Sequence, residues 1–154
     1  MLKRLLVLAG AALLLTPAGA PASARHDDEA SLLRAINVAR ADHGLQPVRI
    51  GPHLERAARA HTVAMLATQA FTHGSFVERL RSFHVSAPTI AENLAWAAGS
   101  DATAESIVRA WLASPPHRRN LLGRSFTLVG IGDLAGGFQG WADARVVTVD
   151  FAGS

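Results

Sequence analysis

An α+β domain is the fold class this sequence predicts, on three observations. Apolar residues recur at helical spacing between Ala30 and Ala113, β-branched runs crowd the last quarter of the chain, and a glycine-rich stretch separates those runs. Helices first and a hairpin last is the α+β order, not the strand–helix alternation of a parallel sheet. No internal repeat, linker or second domain interrupts it.

The elements follow in order. Leu32, Leu33, Ile36 and Ala39 share one face of a first helix over Ala30 to His43, with Asp27 and Asp28 as caps and Gly44 as the stop. Leu45 to Gly51 holds a proline and a glycine and reads as a connection. Pro52 suits the first position of a second helix that runs to about Thr68, with Leu54, Ala58, His61 and Met65 as its inner stripe and Arg56 and Arg59 turned outward. Phe71-Thr72-His73-Gly74-Ser75 breaks the pattern, Phe76 to Phe83 forms a short helix with Phe76, Leu80 and Phe83 inward, and Ala87-Pro88 breaks it again. Asp101 to Ala113 is a strong helix carrying Ile107, Val108, Trp111 and Leu112, and Ser114-Pro115-Pro116 ends it. Thr127 to Gly132 and Arg145 to Phe151 are the strands of a hairpin, joined across Gly136 to Gly140 by a loop longer than the tightest turns. Trp111 is expected to pack against that hairpin.

Composition bounds the rest. With 154 residues, 49% apolar and 18% charged, the chain is neither disordered nor fibrous and has one domain's worth of core. The computed pI of about 10.9 suggests a nucleic-acid binder, but the charges contradict it. Of the 15 basic residues, Lys3 and Arg4 sit in a leader, which leaves 13 arginines against 12 carboxylates. With no Lys, Cys or Tyr left to titrate, that one excess charge persists until arginine itself deprotonates, so the surface is near neutral and no nucleic-acid partner is expected.

Residues 1–24 read as a secretory signal peptide: Lys3 and Arg4, the apolar run Leu5 to Leu15, then Ala22-Ser23-Ala24 before Arg25. The run falls short of the roughly 20 apolar residues a span requires, so residues 25–154 are expected as a single secreted domain, extracellular or periplasmic, with no transmembrane segment. Without cysteine, packing alone must hold that domain.

Three segments place titratable side chains at breaks between elements: Phe71-Thr72-His73, Ala91-Glu92-Asn93-Leu94, and Ser114 through Leu122. Together with Asn37-Val38-Ala39-Arg40, Ala57 to Met65, Trp111, Val129-Gly130-Ile131-Gly132 and Val149-Asp150-Phe151, their order and spacing resemble the bacterial branch of the CAP superfamily, the SCP-like or cysteine-rich secretory, antigen 5 and pathogenesis-related 1 group. The resemblance implies a three-layer α-β-α sandwich around a small antiparallel sheet. It also implies a cavity lined by His73, Glu92 and His117, with Ser114 standing where the family's second glutamate belongs. In some relatives the histidines bind a divalent metal. Here that would be zinc or another divalent ion on His73 and His117, held weakly by so few ligands.

Three further residues read as structural. His61 is expected to be core-packed with one hydrogen bond, Asn37 to be structural, and Arg40 to donate as a fork to loop carbonyls or a carboxylate. The function expected is a secreted, non-enzymatic binding module whose cavity takes a small apolar or lipid-like ligand or an extracellular partner. The alternative is a metal-assisted hydrolase, with the ion on His73 and His117 polarising water and Glu92 as base.

Overall fold

The computed structural model describes residues 22–154. The elements are α1 (Ala22–Asp42), β1 (Arg49–Ile50), α2 (Pro52–Thr68), α3 (Phe76–Ser82), β2 (Thr89–Ala97), a 3-10 turn (Gly99–Asp101), α4 (Ala104–Ala113), α5 (Pro115–Leu121), β3 (Phe126–Phe138) and β4 (Trp141–Gly153). The leader expected over residues 1–24 lies outside the described residues, apart from Ala22 to Ala24, which open α1.

Helix α2 has the bounds its pattern predicts. Pro52 occupies a starting position where a missing N–H is harmless, and Leu54, Ala58, His61 and Met65 are all buried. Helix α1 starts eight residues earlier than expected: Asp27 and Asp28 lie within it, since no glycine or proline interrupts the preceding residues. Thr103 caps α4, its hydroxyl accepting from the Ser106 N–H at 3.1 Å.

Four expectations are corrected. Pro115-Pro116 does end α4, but it also opens α5, because proline is as acceptable in a first helical turn as it is disruptive later. Part of the expected connection before Gly51 forms the two-residue strand β1, which runs parallel to β3. The hairpin strands extend to 13 residues each, with a register shift between Gly136 and Phe138, and the turn shrinks to Gln139-Gly140, both with positive φ as a tight hairpin turn of type I′ requires. Most consequential, Ala91 to Leu94 is not a break: it lies inside β2, a nine-residue strand paired antiparallel with β4.

The sheet order is β1-β3-β4-β2, so β2 is a free edge. Alternation along β4 sorts the core into two layers. Val147, Val149 and Phe151 face α1, α4 and α5 together with Leu32, Ile36, Ile107, Trp111 and Leu121. Ala144, Val146 and Ala152 face α2 and α3 together with Met65, Leu54 and Leu80. This is the three-layer α-β-α sandwich that was expected.

Two glycines make the second layer possible. A Cβ at Gly130 would lie 2.1 Å from the Leu54 carbonyl carbon, and one at Gly132 2.5 Å from the Ala58 oxygen. Helix α2 therefore rests directly on the backbone of β3, where Thr62 Oγ1 reaches Gly132 O at 3.0 Å and Thr148 Oγ1 at 2.9 Å.

Candidate functional site

Because neighbouring residues on a strand point to opposite faces, Glu92 and Asn93 of the edge strand serve different layers. Glu92 turns toward α3 and the loop before it. Its Oε1 accepts from His73 Nδ1 at 2.6 Å, and Oε2 is bound by Arg79 of α3, whose Nη2 also donates to Asp150 Oδ1 at 3.2 Å. Asn93 turns toward α5, donating to the His117 carbonyl at 3.0 Å, and its Oδ1 accepts from Asn120 at 2.9 Å. Asn120 also holds the Glu92 carbonyl at 3.0 Å.

The three expected site residues are thus gathered around the free edge of the sheet, His73 from one side and His117 from the other. His73 and Glu92 are in direct contact. His117 makes no hydrogen bond to either; it is tied to them through the Asn93–Asn120 amide pair. Its ring Nδ1 pairs with the neutral hydroxyl of Ser114 at 2.9 Å.

The electrostatics are correspondingly uneven. Glu92 is 2% exposed and His73 58%, so a buried carboxylate orients a solvent-facing ring. Burial, helped by the charge of His73, pulls the His117 pKa below the ordinary histidine value and favours the neutral ring. Asp150 lies directly across the ladder from Glu92. Burial raises its pKa well above the ordinary carboxylate range, Arg79 opposes that shift, and Glu92 reinforces it. Asp150 Oδ2 and Arg79 Nε are buried without a hydrogen-bond partner. His61 lies behind the site as expected, buried and bonded through Nε2 to the Thr72 carbonyl at 2.8 Å; burial first, then Arg79, lowers its pKa.

Arg79 and Asp150 were missed as site residues. Asp150 left a trace, a lone carboxylate in the apolar run Val146 to Phe151 that must find a partner if buried. Arg79 left none, since an arginine on a short amphipathic helix is ordinarily solvated. The Arg40 expectation is met: its guanidinium donates to the carbonyls of Gln46, Leu121, Gly123 and Phe126.

Residues 33–150 match CAP, the cysteine-rich secretory protein family. The chain belongs to the CAP family. It does so without a single cysteine. The Bacillus subtilis protein YkwD is 33% identical over 114 residues, which is 71% of this chain and 43% of YkwD, so this CAP chain spans less than half of that relative. An extracellular SCP-domain protein of Bacillus anthracis superposes with a TM-score of 0.68 at 22% identity, covering 84% of this chain and 41% of that one. An outer surface protein of Borrelia burgdorferi gives the same TM-score at 23% identity, covering 83% and 94%. At those identities the two structures speak for the fold alone.

Among the described residues no helix is long and apolar enough to cross a membrane. No group of three or more His, Cys, Asp or Glu residues there is arranged to hold a metal ion. Among the described residues, the clefts at Gly51–Leu54, between β2 and α4, beside α3 and between α1 and α4 are not lined by His73, Glu92 or His117.

Proposed function

We propose that this chain is a secreted CAP binding module that meets its ligand through the imidazoles of His73 and His117 and does not turn it over. The observation that carries this reading is the commitment of Glu92: one oxygen is bound to His73, the other to Arg79, and the side chain is sealed from solvent. A general base must reach the proton it removes, directly or through one water. Glu92 instead acts as an anchor. It accepts from Nδ1 of His73 and leaves Nε2 uncommitted, while Ser114 occupies Nδ1 of His117 and leaves that Nε2 uncommitted too.

Two imidazoles do not suit a resident catalytic zinc, which takes three protein ligands. A divalent ion here is held weakly, and no hydrolytic step is assigned to it. A small apolar or lipid-like ligand has a separate place in the cleft of about 280 Å³ between α1 and α4, where Ala35, Val108 and Leu112 are flanked by Arg34 and Arg109 and by Asp42 and Glu105. Export is supported by the leader pattern and by the extracellular and outer-surface locations of the two structural relatives.

Calorimetric titration of zinc into wild type and His73→Ala/His117→Ala tests the site, with native mass spectrometry of protein from culture medium to detect retained lipid. Weak binding by wild type, lost in the double variant and weakening in acid as protons compete for the imidazoles, is expected. Zinc retained stoichiometrically through gel filtration, or equal binding by the double variant, would refute the assignment.

A further inference from the structure

We propose that an arginine face built from α5 and the loop after it docks the protein onto an anionic phospholipid bilayer. From Ser106 to Gly132 the chain carries four arginines and no acidic residue, although the charges beyond the leader nearly balance. Three of the four lie together in the fold. The inner side of α5 is taken up by Leu121, which enters the core, and by Asn120, which bonds the Glu92 carbonyl of β2. Arg118 and Arg119 are left exposed on its outer side, and Arg124 follows on the loop to β3, exposed as well.

No carboxylate neutralises this face: among the described residues none of the three arginines is in an ion pair. Arg118 Nη2 instead donates to His43 Nε2 at 3.1 Å. His43 can accept there because its Nδ1–H is given to the Ala39 carbonyl at 2.7 Å, so the partner is a neutral ring. Asp42, next to His43, lines the α1–α4 cleft with Arg34 and Arg109. Beneath the face lies a further charge without a counterion. The Arg40 guanidinium, 1% exposed, is held by carbonyls alone, among them Leu121 and Gly123 of this same segment. A buried charge is little screened, so its field adds to that of the three surface guanidiniums.

Guanidiniums in this number select phosphate, which each fork can bind through two oxygens. Shape then selects a plane of phosphates. The clefts described above are not lined by Arg118, Arg119 or Arg124, and an open face suits a sheet of headgroups better than a small anion or a threaded polymer. A leaflet rich in anionic lipid is such a partner, and the contact with it is peripheral.

Sedimentation with vesicles of phosphatidylglycerol and phosphatidylcholine, and with vesicles of phosphatidylcholine alone, tests this. At low ionic strength wild type is expected to bind the former only, and to be released as salt rises. Arg118→Gln/Arg119→Gln/Arg124→Gln should bind about a hundredfold more weakly, since each arginine near an anionic surface is worth about fivefold. Arg56→Gln/Arg81→Gln removes exposed charge from α2 and α3 instead and should bind as wild type does, which separates this face from net charge. All five side chains are exposed, so far-UV circular dichroism of both variants should match wild type. His73→Ala/His117→Ala should also bind normally, which separates the face from the imidazole site. No binding to phosphatidylglycerol vesicles, unaltered binding by the α5 variant, or a comparable loss in Arg56→Gln/Arg81→Gln overturns the proposal. So does saturable binding of inorganic polyphosphate through the same three arginines while vesicles stay unbound.

Discussion

Replacing Arg40 by methionine keeps the aliphatic stem, which is packed in a residue only 1% exposed, and removes the guanidinium alone. Four carbonyls lose a donor: Gln46 at 3.0 Å, Leu121 at 2.9 Å, Gly123 at 3.1 Å and Phe126 at 3.2 Å. The Gln46 and Gly123 contacts are part-buried, and water replaces the donor there. Those to Leu121 and Phe126 are buried, and each orphaned acceptor costs about 1–3 kcal/mol, or about 4 kcal/mol for the two. Some of this is returned, because burial disfavours the charged guanidinium, as its lowered pKa shows. A net loss of about 3 kcal/mol is expected, a large share of the roughly 5–15 kcal/mol that holds a domain together. Urea unfolding followed by circular dichroism measures it. Arg40→Lys should recover little, since a single ammonium cannot span carbonyls on the loop after α1, the end of α5 and the start of β3. An Arg40→Met midpoint within about 0.5 kcal/mol of wild type would show that this cluster is not what ties α5, and with it His117, to the body of the fold.

Four other outcomes are expected. Trp111→Ala should destabilise by roughly 3–5 kcal/mol, because it removes a core ring and its bond to the Leu94 carbonyl; an unchanged denaturation midpoint would contradict its burial. Gly132→Ala should cost about 1–3 kcal/mol or more by pushing α2 off β3, readable in the same unfolding assay, and a neutral effect would mean that the helix shifts freely. Asp150→Asn should change how stability varies with pH. A carboxyl whose folded pKa is raised lends stability in acid and loses it as pH climbs from about 3.8 through the raised value, so wild type should decline relative to the variant over that interval, and parallel profiles would refute the buried-acid assignment. N-terminal sequencing of exported protein should begin at Arg25; a start upstream of Leu15 would mean that the apolar run is retained as an anchor.

The helices and the hairpin were readable because their information is local: spacing of apolar residues, a proline at a start, β-branched runs. Strand β2 was not. Thr89-Ile90-Ala91-Glu92-Asn93-Leu94-Ala95-Trp96-Ala97 contains only two β-branched residues and carries a buried acid and amide at its centre, so its strand state comes from the ladder to β4, 48 to 64 residues further along the chain. The site shares that blind spot. His73, Glu92 and His117 were identified through motif order, whereas their meeting around one sheet edge depends on β2 lying outermost. Arg79, which locks Glu92, could be recognised only once α3 had been folded against that edge.

The same geometry explains how a CAP domain dispenses with cystine. Three arginines at low exposure do the long-range tying. Arg40 joins α1 to the ends of α5 and the start of β3, Arg79 joins α3 to β2 and β4, and Arg145 of β4 grips Asp133 while donating to the carbonyls of Ala102 and Asp28. Each serves several acceptors in one plane, which lysine's single ammonium cannot do. A disulfide acts largely by restricting the unfolded chain, whereas these clusters act only in the folded state. Stability so built is indifferent to the redox state of whatever space the protein enters. It is sensitive instead to loss of any one guanidinium, because each removal strands acceptors that water cannot reach. The arginine nearest the free edge of the sheet, Arg79, is therefore both a structural tie and a lock on Glu92, the carboxylate that orients the His73 imidazole toward solvent.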